Sequence, residues 1–232
     1  MRKIFTLTLI ILFSVSCSKD DDFDPVADKG LSVAPDAKID FNDNNFGIYK
    51  GILVGISGVI KVNINNDDNL NATLTINGEN FQFETIETVA VNESIVGLTF
   101  TNGNSSFDFN VDGTGENPFI TNLELEHLPF ANIEILKEYS DAHVRCYEGT
   151  YSNSAGTIGV FNIATIGNSL YGLAKSNDEA DSYFLEGVMI GDINFTGSFL
   201  DGNFDGLISG IAMGGDWANS SGTGTWQGQR KL

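Results

Sequence analysis

Apolar residues recur at every second position through most of this chain. Ile60, Val62 and Ile64 alternate with Val59, Lys61 and Asn63, and Leu70, Ala72, Leu74 and Ile76 follow. Phe81 and Phe83, the run around Val96, Leu98 and Phe100, then Phe107, Phe109 and Val111, and finally Ile120, Leu123 and Leu125 continue the pattern. A period of two puts one face of an extended segment in a core and the other in water, which predicts half-buried antiparallel strands. Asn77-Gly78, Asn102-Gly103 and Asp112-Gly113 separate the runs. Such pairs tolerate the positive φ that tight hairpins require, so consecutive strands are expected to pair as a meander.

Composition agrees with an all-β chain. Glycine is abundant (26), proline scarce (4) and phenylalanine the dominant aromatic (17), as expected for many short strands joined by tight polar turns. The second half repeats the plan of the first. Tyr49-Lys50-Gly51 through Ile60-Lys61-Val62-Asn63-Ile64 aligns with Tyr147-Glu148-Gly149 through Gly159-Val160-Phe161-Asn162-Ile163. Thr101-Asn102-Gly103-Asn104 and the following Phe107-Asp108 resemble Leu200-Asp201-Gly202-Asn203-Phe204-Asp205. The expected organisation is therefore two similar β-rich halves, residues 46–140 and 141–232, arising by internal duplication. An open meander exposes unpaired edges, so a barrel-like or sandwich arrangement is expected. Leu128 to Arg145, between the halves, allows two readings. Ile133, Leu136 and Tyr139 sit at helical spacing, yet Ile133 and Ile135 also alternate; a short helix or a turn plus a strand would satisfy it.

The N-terminus carries an address. Arg2 and Lys3 precede an apolar run from Ile4 to Val15, too short to span a bilayer as a helix but of signal-peptide size. Small residues Ser14-Val15-Ser16 lead to Cys17, and Ser18-Lys19-Asp20-Asp21-Asp22-Phe23 follows. The segment resembles the lipobox of bacterial lipoproteins, with Ser14 where leucine is usual. The acidic run resembles the export tag of Bacteroidetes-type surface lipoproteins, formed here by Lys19, Asp20, Asp21 and Asp22. The resemblance implies a signal peptide over 1–16, acylation of Cys17, and an outer-membrane protein facing the exterior, with the periplasmic face as the alternative. Two or more acyl chains would make a lasting tether. Residues 17–45 lack periodicity and read as a flexible linker.

Charge and cysteines narrow the partners. The net charge is −19, and removing residues 1–16, which hold two basic and no acidic groups, leaves about −21. Nucleic acid is excluded as a partner, because phosphate neutralisation needs basic patches. Such a charge favours solubility and self-repulsion. With Cys17 acylated, Cys146 has no partner within the chain, and it reads as a buried, inert thiol.

Few residues suggest chemistry. Asp201, Asn203 and Asp205, with Gly206, match the start of a calcium loop. Ala212 stands where that loop needs an acid, and a polar hairpin is the competing reading. Two histidines and one free thiol offer no zinc spacing. No nucleophile elbow, phosphate-binding loop or zinc-protease helix occurs, so no catalytic residue and no cofactor beyond this calcium candidate is expected. Trp217 and Trp226 lie among regularly spaced glycines. The ending Gly224-Thr225-Trp226-Gln227-Gly228-Gln229-Arg230 is similar to the Gly-x-Trp signatures and terminal arginine of lipocalin and avidin barrels. That resemblance implies an aromatic sealing one barrel end and a cavity for a small molecule, with Trp217 and Trp226 as barrel-closing or ligand aromatics.

Three functions follow: a non-enzymatic surface module binding a ligand or protein, a calycin-like carrier of a small hydrophobic ligand, or a secreted hydrolase with acidic catalysis. An integral outer-membrane barrel is a structural rival. It would need an outward apolar band, whereas Lys61, Asn63, Asp108 and Glu124 occupy alternate positions here.

Overall fold

Two consecutive antiparallel meanders of eight strands each make up the fold, as seen in a computed structural model. It describes residues 30–126, 128, 130–153, 156, 158–177, 181–191 and 193–232. Cys17, Lys19, Asp20, Asp21 and Asp22 lie outside the described residues. The first meander contains β1 (Gly47–Val54), β2 (Gly58–Ile64), β3 (Leu70–Ile76), β4 (Glu79–Glu84), β5 (Ile95–Asn102), β6 (Ser105–Val111), β7 (Phe119–Glu124) and β8 (Asn132–Lys137). The second contains β9 (Arg145–Asn153), β10 (Ile158–Ile166), β11 (Ser169–Ser176), β12 (Ser182–Ile190), β13 (Asn194–Phe199), β14 (Gly202–Ser209), β15 (Ala212–Asn219) and β16 (Gly222–Arg230).

The two halves share one topology and close differently. In each, the first strand pairs with both its second and its eighth: β1 with β2 and β8, β9 with β10 and β16. The second half is a closed barrel. The first curls into a barrel shape whose ends, β7 and β8, lie side by side without ladder hydrogen bonds. Within it, β4 and β5 join through the single pair Glu84–Thr101.

Turn chemistry explains part of the register. Asn77 and Gly78 both have positive φ, 51° and 82°, as a two-residue hairpin of the β3–β4 type demands. At Asn102-Gly103 only the glycine does, at 59°. Asp112-Gly113 makes no tight hairpin; it opens a longer connection in which Gly115 and Asn117 take the positive φ.

Three apolar clusters hold the chain together. Tyr49, Phe83, Phe100, Phe107 and Phe109 fill the first barrel. Phe161, Phe195, Phe204 and Trp226 fill the second. Ile52, Val54 and Val59 point out of the first barrel and pack against Val144, Cys146, Ala164 and Leu173 of the second. Asn162, fully buried, bridges this junction. Its Nδ2 donates to the Leu53 carbonyl at 2.6 Å, and its Oδ1 accepts from the Gly149 amide at 3.0 Å and the Ser57 hydroxyl at 3.2 Å.

The segment from Leu128 to Arg145 resolves in favour of the strand. β8 runs through it, Ile135 is buried, and no α-helix occurs among the described residues. The alternation of Ile133 and Ile135 outweighs helical spacing because β1 offers a free edge to pair with. Residues 30–45, expected as part of a flexible linker, pack onto the body instead. The Asp36 carboxylate lies 3.1 Å from Lys50 Nζ and 2.8 Å from Lys61 Nζ, and the Asp36 amide donates to Glu138 Oε2 at 2.7 Å. The Asn42 side chain exchanges hydrogen bonds with Ser140.

Candidate functional site

Glycine decides where the second barrel is hollow. Along β13 to β16 aromatic residues and glycines share most inward positions, and Phe195, Phe199, Phe204, Trp217 and Trp226 each lie across from a glycine of a neighbouring strand. A Cβ at Gly206 would sit 2.9 Å from both Phe195 and Trp226, and one at Gly224 would sit 2.6 Å from the Trp217 indole. The missing side chains let large rings lie flat against the wall.

The rings form two layers. Phe161 stacks on Trp226 with centroids 4.7 Å apart, Phe195 lies 5.4 Å from Trp226, and Phe204 meets Phe161 edge-on at 5.6 Å. Trp226, 3 % exposed, belongs to this plug. Beyond it, Trp217 is flanked edge-on by Tyr151 at 5.9 Å and Phe199 at 6.4 Å. These three rings, with Phe161 below and Leu185, Ala174 and Tyr183 beside them, line a mouth of about 370 Å³. Its rim is polar: Asn153, Ser176, Asp201, Asn219 and Ser221. That volume and that mixture suit a small organic molecule. Leu200, on the rim, has φ of 28° and is 84 % exposed. A non-glycine residue held in that region carries backbone strain, and such strain gathers at binding sites.

At the opposite end the barrel is tied shut. Arg230 donates to the Leu232 carbonyl at 2.7 Å and to the Ser32 carbonyl, and its guanidinium lies 3.4 Å from His143 Nε2. Beside it, Glu138 accepts from Lys50 Nζ at 2.7 Å and from the Val144 amide at 3.1 Å. Burial, and then the nearby cations Lys50, Arg230 and Arg145, press the His143 pKa down to about 4, against an opposing pull from Asp36. Asp36 is raised by burial, but its bonds and attraction to Lys61 and Lys50 outweigh this and leave it at about 2. This cluster locks the N-terminal segment, the junction and the C-terminus together.

A second concavity, about 920 Å³, runs along the outside of β15 and β16 and is an open groove. Glu148, Thr150, Gln227 and Gln229 face it. Burial raises the Glu148 carboxyl. Leu207, Met213 and Trp226 also line this groove, but the larger volume is less informative than the smaller mouth, because an open groove desolvates little of a ligand. Glu134 is also raised, by burial first and then by the Glu186 charge, and neither residue lines the mouth or the groove.

The sequence candidates are dispersed by the fold. Trp217 forms a wall of the mouth, while Trp226 lies beneath its floor, stacked on Phe161. Asp201 sits on the rim and accepts from the Ser220 hydroxyl. Asn203 and Asp205 lie on the outer face of β14, along extended backbone rather than around one centre. Among the described residues no group of three His, Cys, Asp or Glu is placed to hold a metal ion. Cys146 is buried, and burial pushes its thiol up to about 12. Tyr151, Phe199 and Tyr183 complete the site without having been singled out by sequence. The signal was available: each shares inward parity with a core residue of its own strand, Tyr147, Phe195 and Leu185.

The barrel is apolar inside, while its outer face mixes Glu186, Thr196, Asp205, Asp216 and Gln227 with exposed Phe184, Val188, Ile190 and Leu207. No helix among the described residues is long and apolar enough to cross a membrane. No protein-family model and no curated protein matches the chain.

Proposed function

We propose that this chain is a lipid-anchored, non-enzymatic binding protein, whose second barrel takes a small, largely apolar ligand into its mouth in the manner of a calycin. One observation carries the binding reading: an aromatic-walled cavity of about 370 Å³ sits above a sealed aromatic plug in a closed barrel. The packed first barrel and the apolar junction then serve as the pedestal. The anchor rests on the sequence alone, on the basic and apolar leader, on Cys17 and on the aspartates after it.

Binding is tested by titrating the full chain with 1-aminonaphthalene and following its thermal stability. Saturable one-to-one binding is expected in the wild type and not in Ala174→Phe, which fills the mouth. Absence of saturable binding, or binding untouched by Ala174→Phe, contradicts the proposal. Metabolic labelling with a fatty acid tests the anchor: label is expected on the wild type and not on Cys17→Ser.

A further inference from the structure

Resting on the reading of the mouth as a binding site, we infer that it selects an organic cation with an apolar body over neutral or anionic ligands of the same shape. Three observations converge. The walls are aromatic: Trp217 stands at 88° to Tyr151 and 68° to Phe199, and these three rings line the mouth together with Phe161. Ring faces attract cations, most strongly when water is displaced. No basic side chain is among the described residues that line the mouth, and the one charged residue is Asp201, whose carboxylate is held at the rim by Ser220. A carboxylate or phosphate entering this mouth would lose hydration and gain no counter-charge. Finally, 31 acidic against 12 basic residues give the molecule a negative field, which concentrates cations near its surface.

This chemistry differs from that of a fatty-acid carrier. An anionic headgroup needs a buried arginine or lysine. Here Arg230 is spent at the far end of the barrel, on Leu232, Ser32 and His143. The ligand class that fits is a primary or quaternary amine borne on an aromatic or branched aliphatic group. The amine would rest against Trp217 near Asp201 and the apolar body against Phe161 and Leu185.

Three probes of one shape test this on the full chain, followed by tryptophan fluorescence: phenyltrimethylammonium, its neutral isostere tert-butylbenzene, and the anion benzenesulfonate. The cation is expected to bind about three- to tenfold tighter than the neutral probe, and the anion weakest of all. In Asp201→Asn the advantage of the cation should shrink by about twofold, as should that of the wild type when salt is raised. Equal or tighter binding of the neutral probe overturns the cation preference and leaves the mouth as a binding site. Failure of all three probes to bind overturns the reading of the mouth, and the preference with it.

Discussion

Trp217 and Trp226 carry the same side chain on adjacent strands, yet their surroundings divide their roles. Trp226 is packed between Phe161 and Phe195, so its ring serves the plug. Trp217 has ring edges on two sides and the mouth in front. Both indole N–H groups are buried without a hydrogen-bond acceptor among the described residues, a cost that a core rarely accepts. Gly224 makes the position of Trp217 possible. Gly224→Ala would drive a methyl into the indole, and overpacking of this kind costs about 1–3 kcal/mol. Urea unfolding should show that loss, with a shifted tryptophan emission in the folded baseline. His143 gives a second expectation at this scale. Its folded pKa of about 4 lies below its ordinary value of 6.5, so the unfolded chain takes up the proton first as pH falls. The stability from neutral His143 is complete above pH 6.5, declines as pH falls toward 4, and levels off below it for this group. Its side chain is 7 % exposed and Glu138 lies 3.6 Å from its Nε2, which favours the charged ring, so the decline should be on the order of 1–2 kcal/mol. His143→Gln should flatten that part of the pH profile, as measured by denaturant midpoints from pH 7 to pH 4.

Strands and turns were the most legible elements, because period-two alternation directly reports which side of a sheet is buried. The runs at 59–64, 70–76, 98–100 and 107–111 each became a strand in the expected place. Parity along β9 and β13 also suffices to mark Tyr151 and Phe199 as inward, a signal the sequence reading left unused. What parity cannot show is height along the barrel axis, so it could not separate a plug ring from a mouth ring. That depends on register between strands, such as Trp226 opposite Tyr151 and Trp217 opposite Gly224. The segment at 128–145 was ambiguous for a related reason: its helical and extended spacings coexist, and the free edge of β1 decides between them. Residues 30–45 misled because they lack any period. They are held by polar contacts, Asp36 with Lys50 and Lys61 and Asn42 with Ser140, which leave no trace in hydrophobic patterning. Calcium spacing at 201–206 was read from a local motif, and the β13–β14 hairpin instead spreads Asp201, Asn203 and Asp205 along a turn and the outer face of a strand.

At the scale of the molecule, two barrel-shaped halves of one topology differ in their interiors. The first fills its inward positions with Phe83, Phe100, Phe107 and Phe109; the second has glycine at many of its inward positions and leaves a mouth. The junction fixes them together through apolar side chains, the buried amide of Asn162 and the Glu138 cluster. Leu173 lies in that junction with no exposed surface. Leu173→Ala should cost about 2–5 kcal/mol. Because the loss falls on the contact between halves, calorimetry should resolve one unfolding transition in the wild type into two in the variant. A single transition retained in Leu173→Ala would mean that the halves are coupled elsewhere, through the Asp36, Lys50 and Glu138 cluster.

The binding claim itself turns on where a ligand goes. The chain has two tryptophans, so a 15N-labelled sample gives two indole N–H resonances, one from the mouth and one from the plug. Titration with phenyltrimethylammonium should shift the Trp217 resonance, identified by its loss in Trp217→Phe, and move the Trp226 resonance little. Saturable binding that leaves Trp217 unmoved, or that moves Trp226 alone, would contradict the assignment of the mouth as the ligand site.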